Sequence, residues 1–284
     1  MAEVQLVGVV GCGLMGSGIA QIAAQSGYEV IVREVNQELL DAGMKRIKAV
    51  LDKDLAKGKI SQDEYNATWG RLHPTLEIEA FADADLVIEA IVEQVAAKRE
   101  LFAALDRICK PQTILATNTS SLPVTEVAAA TQRPDRVAGL HFFNPVPVMK
   151  LVELVRALST SQETLFTLQQ FGERLGKTVV QAQDTPGFIV NRLLIPYMLD
   201  AIRCYAEGLA SREDIDEGMK LGAGHPMGPL TLADFVGLDT LYYVANVLFD
   251  EYKESRFAPP PLLRRMVLAG MLGKKSGKGF YDYN

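Results

Sequence analysis

The chain has 284 residues, 48% of them hydrophobic and 23% charged, with a net charge of −6 and no basic block. This is enough apolar sequence for one large domain or two ordinary ones, and it excludes a disordered chain. The acidic balance argues against nucleic acid as the partner, while leaving room for a local patch that holds a phosphorylated ligand. Cys12, Cys109 and Cys204 are far apart and odd in number. They suggest neither a disulfide framework nor a metal site and point to a reducing, cytoplasmic setting. No apolar run reaches the roughly 18 residues of a membrane span, and the first residues carry no basic segment or cleavage site, so neither a membrane nor a leader is expected.

In chain order, residues 4–10 read as a β-branched apolar strand buried on both faces of a parallel sheet. It runs into Gly11-Cys12-Gly13-Leu14-Met15-Gly16, and a helical pattern then extends to Gly27. A second strand, residues 29–33, ends at Glu34, 21 residues after Gly13. Strand, glycine loop, helix and terminal acid together form the context of a dinucleotide site. Gly11 permits the tight turn, Gly13 lets the backbone approach a pyrophosphate, and Gly16 lets the helix pack on the sheet. The helix N-terminus then carries the phosphate charge. Glu34 would hydrogen-bond ribose hydroxyls and repel a 2′-phosphate, which favours NAD over NADP. Arg33 beside it tempers that preference. The alternative is a glycine-rich turn without a nucleotide.

The pattern predicts a long helix from Asn36 to about Gly58, a second from Ser61 to Gly70 and a short strand over 72–76. The hairpin is basic through Lys45, Arg46, Lys48, Lys53, Lys57 and Lys59. Such a run is either a solvated face or a place where one or two lysines meet the phosphates of a large anionic ligand. Residues 84–90 form the next buried strand, followed by Glu93 and a helix over 95–108. A strand over 112–117 ends in Asn118-Thr119-Ser120-Ser121. Ligands bind at such strand ends in doubly wound sheets, although Ser120 or Ser121 could equally be a helix cap. A helix over 124–130 follows.

Residues 137–143 and 150–155 read as two strands separated by Asn144-Pro145 and Pro147, which are turn residues. If they fold back about Pro147, His141 and Glu153 face each other. A carboxylate beside an imidazole fixes one tautomer and stabilises the cation, as a general base requires. The other reading is a packed structural histidine. A helix over 163–175 and residues 178–180 close the sheet. At Asp184-Thr185-Pro186-Gly187 the character changes, with Asp184 placed to cap the helix that follows. Further helices are expected over 188–207, after Ser211, over 234–249 and over 261–269. We set the domains at 1–186 and 187–284. The fold class is then an α/β, Rossmann-type, doubly wound and mostly parallel sheet with an inserted helical hairpin, followed by a smaller all-α domain. So apolar a helical domain suits a homodimer interface.

Five motifs in order resemble the 3-hydroxyacyl-CoA dehydrogenase family, in its compact bacterial 3-hydroxybutyryl-CoA form. They are the glycine loop, Asn118 to Ser121, His141-Phe142-Phe143-Asn144-Pro145, Asp184 to Arg192, and Gly273 to Tyr281. The resemblance covers the whole chain. It implies catalytic roles for His141, Glu153, Ser120 and Asn191, with Ser120 and Asn191 also touching substrate. It implies cofactor contacts at Gly11, Gly13, Leu14, Met15, Gly16, Glu34, Glu93, Lys98, Asn118, Asn144 and Lys275. Lys57 is the best match for a CoA contact, with Lys53 and Lys59 behind it. Glu34 departs from the commoner aspartate and moves the carboxylate by one methylene. The implied activity is NAD-dependent interconversion of (S)-3-hydroxyacyl-CoA and 3-ketoacyl-CoA without a metal, by a dimer, in fatty-acid oxidation or butanoate metabolism. Domain closure would bring Asn191 to the substrate. Two rivals differ in class: a 3-hydroxyacid dehydrogenase, which would use a lysine as acid/base, and an NAD-binding protein without activity.

Overall fold

The computed structural model describes residues 4–283. The chain divides into two compact units between Thr185 and Pro186.

The first unit is built on one eight-stranded sheet, with strand order β3-β2-β1-β4-β5-β6-β7-β8. Strands β1 (Leu6–Val10), β2 (Glu29–Arg33), β3 (Leu72–Thr75), β4 (Leu86–Glu89), β5 (Ile114–Thr117) and β6 (Val137–Phe142) pair in parallel. Strand β7 (Leu151–Arg156) runs antiparallel to β6, and β8 (Thr178–Gln183) runs parallel to β7. The order reverses at β1/β4, the switch point at which such sheets bind their ligands. Apolar runs in the central strands follow from burial on both faces: Val7, Val9, Val30, Val32, Leu86, Ile88, Ala116 and Leu140 form one core.

Helix α1 (Leu14–Gln25) follows the glycine loop. The helical hairpin is α2 (Gln37–Ala56) and α3 (Gln62–Gly70). Asn36 caps α2 through Leu39 N–H, and Ser61 with Glu64 forms a reciprocal capping box on α3. Helices α4 (Val95–Ile108), α5 (Val124–Ala128) and α6 (Gln162–Arg174) complete the unit. Asp184 does not cap the helix that follows it. Its carboxylate accepts from Val124 N–H at 2.9 Å and Thr125 N–H at 2.6 Å, so it caps α5 from 60 residues away.

The second unit holds α7 (Val190–Ala206), α8 (Arg212–Ala223), α9 (Pro229–Val236), α10 (Leu238–Tyr252) and α11 (Pro261–Leu268) around Leu199, Ile202, Leu230, Leu241, Leu248 and Phe257. The single helix expected over 234–249 is two helices bent by 95°. Gly237, at φ +100°, is the break, a conformation that side-chain-bearing residues rarely adopt. No single described helix is long and apolar enough to cross a membrane.

Candidate active site

The carboxyl ends of the first unit's parallel strands carry most of the residues singled out above. The glycine loop has the shape its sequence implies. A Cβ on Gly11 would lie 2.6 Å from the Ala90 carbonyl oxygen, and one on Gly16 would lie 1.7 Å from the Gly11 carbonyl oxygen. Neither position admits a side chain. Gly13 is different: nothing lies within 4 Å of its added Cβ, so a ligand can approach the backbone there. Gly13 caps α1 without a side-chain hydrogen bond. The first N–H groups of that helix are therefore offered to an anion instead of a serine or asparagine, as at α2 and α3.

Glu34 follows β2 and folds back onto this loop. Its Oε1 accepts from Cys12 N–H at 2.7 Å and its Oε2 from Val35 N–H at 3.0 Å. The extra methylene relative to aspartate is thus taken up in reaching Cys12. Arg33 turns away, donating through Nε to the Leu76 carbonyl at 3.2 Å. On the other side of the loop, Arg46 of α2 donates to the Cys12 carbonyl at 2.9 Å. Burial and the Glu34 carboxylate push the Cys12 thiol up to about 12 against the pull of Arg46, so this sulfur is inert. A Cβ on Gly43 would meet Cys12 Sγ at 2.2 Å, which is how α2 comes so close. Arg46 stood in the basic run and Gly43 had no periodic signal; neither contact is local enough to read from sequence.

Behind the strand ends lies a polar floor. Glu89, fully buried, accepts from Ile91 N–H at 2.8 Å, Lys98 Nζ at 2.6 Å and Thr117 Oγ1 at 2.7 Å. Lys98 also meets Glu93 Oε2 at 3.1 Å. Lys98, expected as a cofactor contact, is 1% exposed and sits between these two carboxylates. It holds Glu93, which in turn accepts from Ser120 N–H at 3.1 Å and from the Thr119 hydroxyl. The cap reading of Ser120 and Ser121 does not hold. Thr119 Oγ1 takes the N–H groups of Ser121 and Leu122, and Asp184 caps α5. Asn118 ties two strands together, its Oδ1 accepting from Phe142 N–H at 2.9 Å.

His141 and Glu153 are directly paired in the β6/β7 register. Nδ1 of His141 lies 2.7 Å from Oε2 of Glu153, with the carboxylate fully buried. The Phe143 ring lies 4.5 Å from the imidazole, centroid to centroid. The connecting turn, which carries Asn144, is fastened by Lys177. Its ammonium donates to the carbonyls of Val146 at 2.6 Å and Met149 at 2.7 Å, and burial holds it below the ordinary lysine value. Lys177 was not singled out from sequence. A lysine that begins a strand is normally solvent-facing, and only the turn's position reveals its task.

A cavity of about 330 Å³ opens between α1, α2 and this turn, lined by Leu14, Gln21, Arg46, Val50, Asn144 and Val146 among others. Arg46 and Val50 share a helix face with Lys53, and the spacing continues to Lys57 just past the helix end. Lys53 and Lys57 are exposed, and among the described residues neither has an ion-pair partner. Lys59 meets Asp54 at 3.4 Å. Asn191 and Lys275 belong to the second unit: Asn191 is half-buried in the first turn of α7, and Lys275 Nζ lies 2.6 Å from Asp239. Among the described residues no cluster of three metal-ligating side chains occurs.

Residues 6–185 match the family model of the 3-hydroxyacyl-CoA dehydrogenase NAD binding domain, and residues 187–283 match the C-terminal domain of the same family. A probable 3-hydroxybutyryl-CoA dehydrogenase of Bacillus subtilis is 54% identical over 99% of this chain and 98% of its own length. A 3-hydroxybutyryl-CoA dehydrogenase of Mycobacterium tuberculosis is 51% identical over 99% of each chain. The crystal structure of (S)-3-hydroxybutyryl-CoA dehydrogenase from Ralstonia eutropha superposes with a TM-score of 0.96, covering 99% of this chain and 100% of that one at 41% identity. With its glycine loop, its strand-end acid and both family domains in place, the chain belongs to the 3-hydroxyacyl-CoA dehydrogenase family of NAD-dependent oxidoreductases.

Proposed function

We propose that the protein interconverts (S)-3-hydroxyacyl-CoA and 3-ketoacyl-CoA, with 3-hydroxybutyryl-CoA and acetoacetyl-CoA as its substrates and His141 with Glu153 as the acid/base pair. The observation that carries this reading is the 2.7 Å contact between His141 Nδ1 and a carboxylate that solvent does not reach. The short acyl chain is supported by relatives of that name at 41–54% identity across the whole chain.

The glycine loop and Glu34 would hold NAD, whose nicotinamide would supply the hydride exchange with C3 of the thioester. His141 does the proton work. With Nδ1 turned to Glu153, Nε2 is the nitrogen that takes the 3-hydroxyl proton in oxidation and gives it back in reduction, a role worth about 10²–10⁴ in rate. Glu153 holds the ring in that tautomer and stabilises the imidazolium as it forms. Ser120, at the end of β5, and Asn191, at the start of α7, would hydrogen-bond the substrate oxygens and set C3 in place. On the cofactor side, Glu34 faces the glycine loop where the adenosine ribose would lie, with Glu93, Asn118, Asn144 and Lys275 as further contacts. Lys53 and Lys57 would meet the CoA phosphates beyond the α2 cavity. The exposed Leu193, Leu209, Leu221, Phe235 and Leu268 of the helical unit support a homodimer through that unit, and the three free cysteines support a reducing, cytoplasmic compartment.

The test is initial rates with acetoacetyl-CoA and free acetoacetate, each with NADH and NADPH. Turnover should require both the thioester and NADH. Preference for the free acid would replace this reading with that of a hydroxyacid dehydrogenase.

A further inference from the structure

The cavity between α1 and α2 is lined mostly by apolar residues, with Ser17, Arg46 and Asn144 as polar neighbours. Leu14 comes from α1, Ile47 and Val50 from α2, and Pro145 to Pro147 from the turn. Gln21 lines it too, at 2% exposure, and its Nε2 is buried without a hydrogen-bond partner. Among the described residues one other buried side-chain atom shares that state, Asp239 Oδ1, and it lies 2.6 Å from the Lys275 ammonium. The Gln21 donor is thus the uncompensated one. Buried donors are nearly always paired, and an exception points to a partner that binds.

The partner must bring a carbonyl oxygen on a slender apolar chain. The dinucleotide's phosphates do not fit, since Gln21 lies eight residues into the helix from Gly13, about 12 Å from the anion-binding end by helical rise. We infer that Gln21 is a specificity-determining residue for the arm of the substrate that does not react: its Nε2 donates to an amide carbonyl of the pantetheine chain of the acyl-CoA. This rests on the substrate reading above. The chemistry matches along the length of the ligand. Methylene and gem-dimethyl carbons suit the walls at Val50 and Val146. The phosphates beyond the arm fall toward Lys53 and Lys57, the latter about 10 Å past Val50 along α2. A terminal amide is free to turn broadly about its last torsion, so Nε2 can swing to the cavity when a carbonyl arrives.

The experiment is a Gln21→Leu variant assayed with acetoacetyl-CoA, acetoacetyl-pantetheine and an S-ethyl acetoacetyl thioester, which has no amide. The variant should fold at least as stably as the wild type, because it removes an unpaired donor, and this separates the effect from misfolding. KM for the CoA and pantetheine thioesters should rise about tenfold, as for one lost hydrogen bond, with kcat and NADH affinity unchanged. The S-ethyl thioester should show no difference between wild type and variant. Gln21→Glu, which exchanges donor for acceptor in the same shape, should show the same amide-dependent loss if the leucine variant does not fold. An equal penalty on the S-ethyl thioester, a change in NADH affinity, or no change in KM overturns the inference while leaving the substrate reading intact. A wild type that turns over none of the thioesters removes that reading and this one together.

Discussion

Glu153 of the sheet unit and Asp234 of the helical unit are both fully buried carboxylates, and they are satisfied in opposite ways. Glu153 in the sheet unit faces an imidazole, a partner that can gain and lose a proton. Asp234 in the helical unit accepts from Phe280 N–H at 2.9 Å, Tyr281 N–H at 2.9 Å and the Tyr283 hydroxyl at 3.1 Å. Asp216 beside it accepts from Leu230 N–H at 2.8 Å, Thr231 N–H at 2.9 Å and the Tyr281 hydroxyl at 3.0 Å, capping α9 from α8. None of those donors changes charge with the solvent's pH in the ordinary range. Burial pushes the Asp234 carboxyl up and the Tyr281 and Tyr283 phenols up, so the cluster is a fixed clasp holding the chain's last segment to α8 and α9. A carboxylate set against backbone amides builds architecture, while one set against an imidazole can run a proton.

That contrast breaks along predictable lines. The largest effect is expected at His141. His141→Gln should lower kcat by about 10²–10⁴, with NADH affinity and melting temperature close to wild type. Next is Asp234→Ala, which strips two N–H groups and a phenol of their acceptor. At about 1–3 kcal/mol for each stranded group, partly recovered by water, it should cost about 3 kcal/mol in urea unfolding of the helical unit. Equal damage to both variants in both measurements would erase the distinction between the two carboxylates.

Glu153→Gln sharpens the comparison further. It should lower turnover by about ten- to a hundredfold, within the range of general acid–base effects. Undiminished turnover would make Glu153 a packing residue like Asp234. The smallest effect is expected at Lys177→Met. Losing the two donations to Val146 and Met149 is offset by removing an ammonium that burial disfavours, for a net cost of about 1 kcal/mol. It should appear as a modest rise in KM for NADH, because the turn it fastens carries Asn144.

Much of this is legible in the sequence. The glycine loop, the start of α2 at Asn36 and helix α4 are local signals, in which periodicity and one capping side chain decide the outcome. His141 opposite Glu153 was also readable, since both stand six residues from Pro147 and the strand period brings them to one face. What was hidden is long-range. Asp184 looks like the cap of the next helix but serves α5, because the β8 end delivers it there. The helix expected over 234–249 breaks at Gly237, where apolar periodicity continues across a backbone that does not. Lys98 is expected as a cofactor contact, and its burial between Glu89 and Glu93 comes from the strand beneath it. Gln21 carried no signal at all: a lone polar residue in an apolar helix declares itself only when its cavity is seen.

The most direct test of the central claim is single-turnover oxidation of enzyme-bound NADH by acetoacetyl-CoA, compared between wild type and His141→Gln at matched NADH occupancy. The account predicts rapid oxidation by the wild type and a rate lower by about 10²–10⁴ in the variant, with NADH still bound. Oxidation at an undiminished rate by His141→Gln would contradict it.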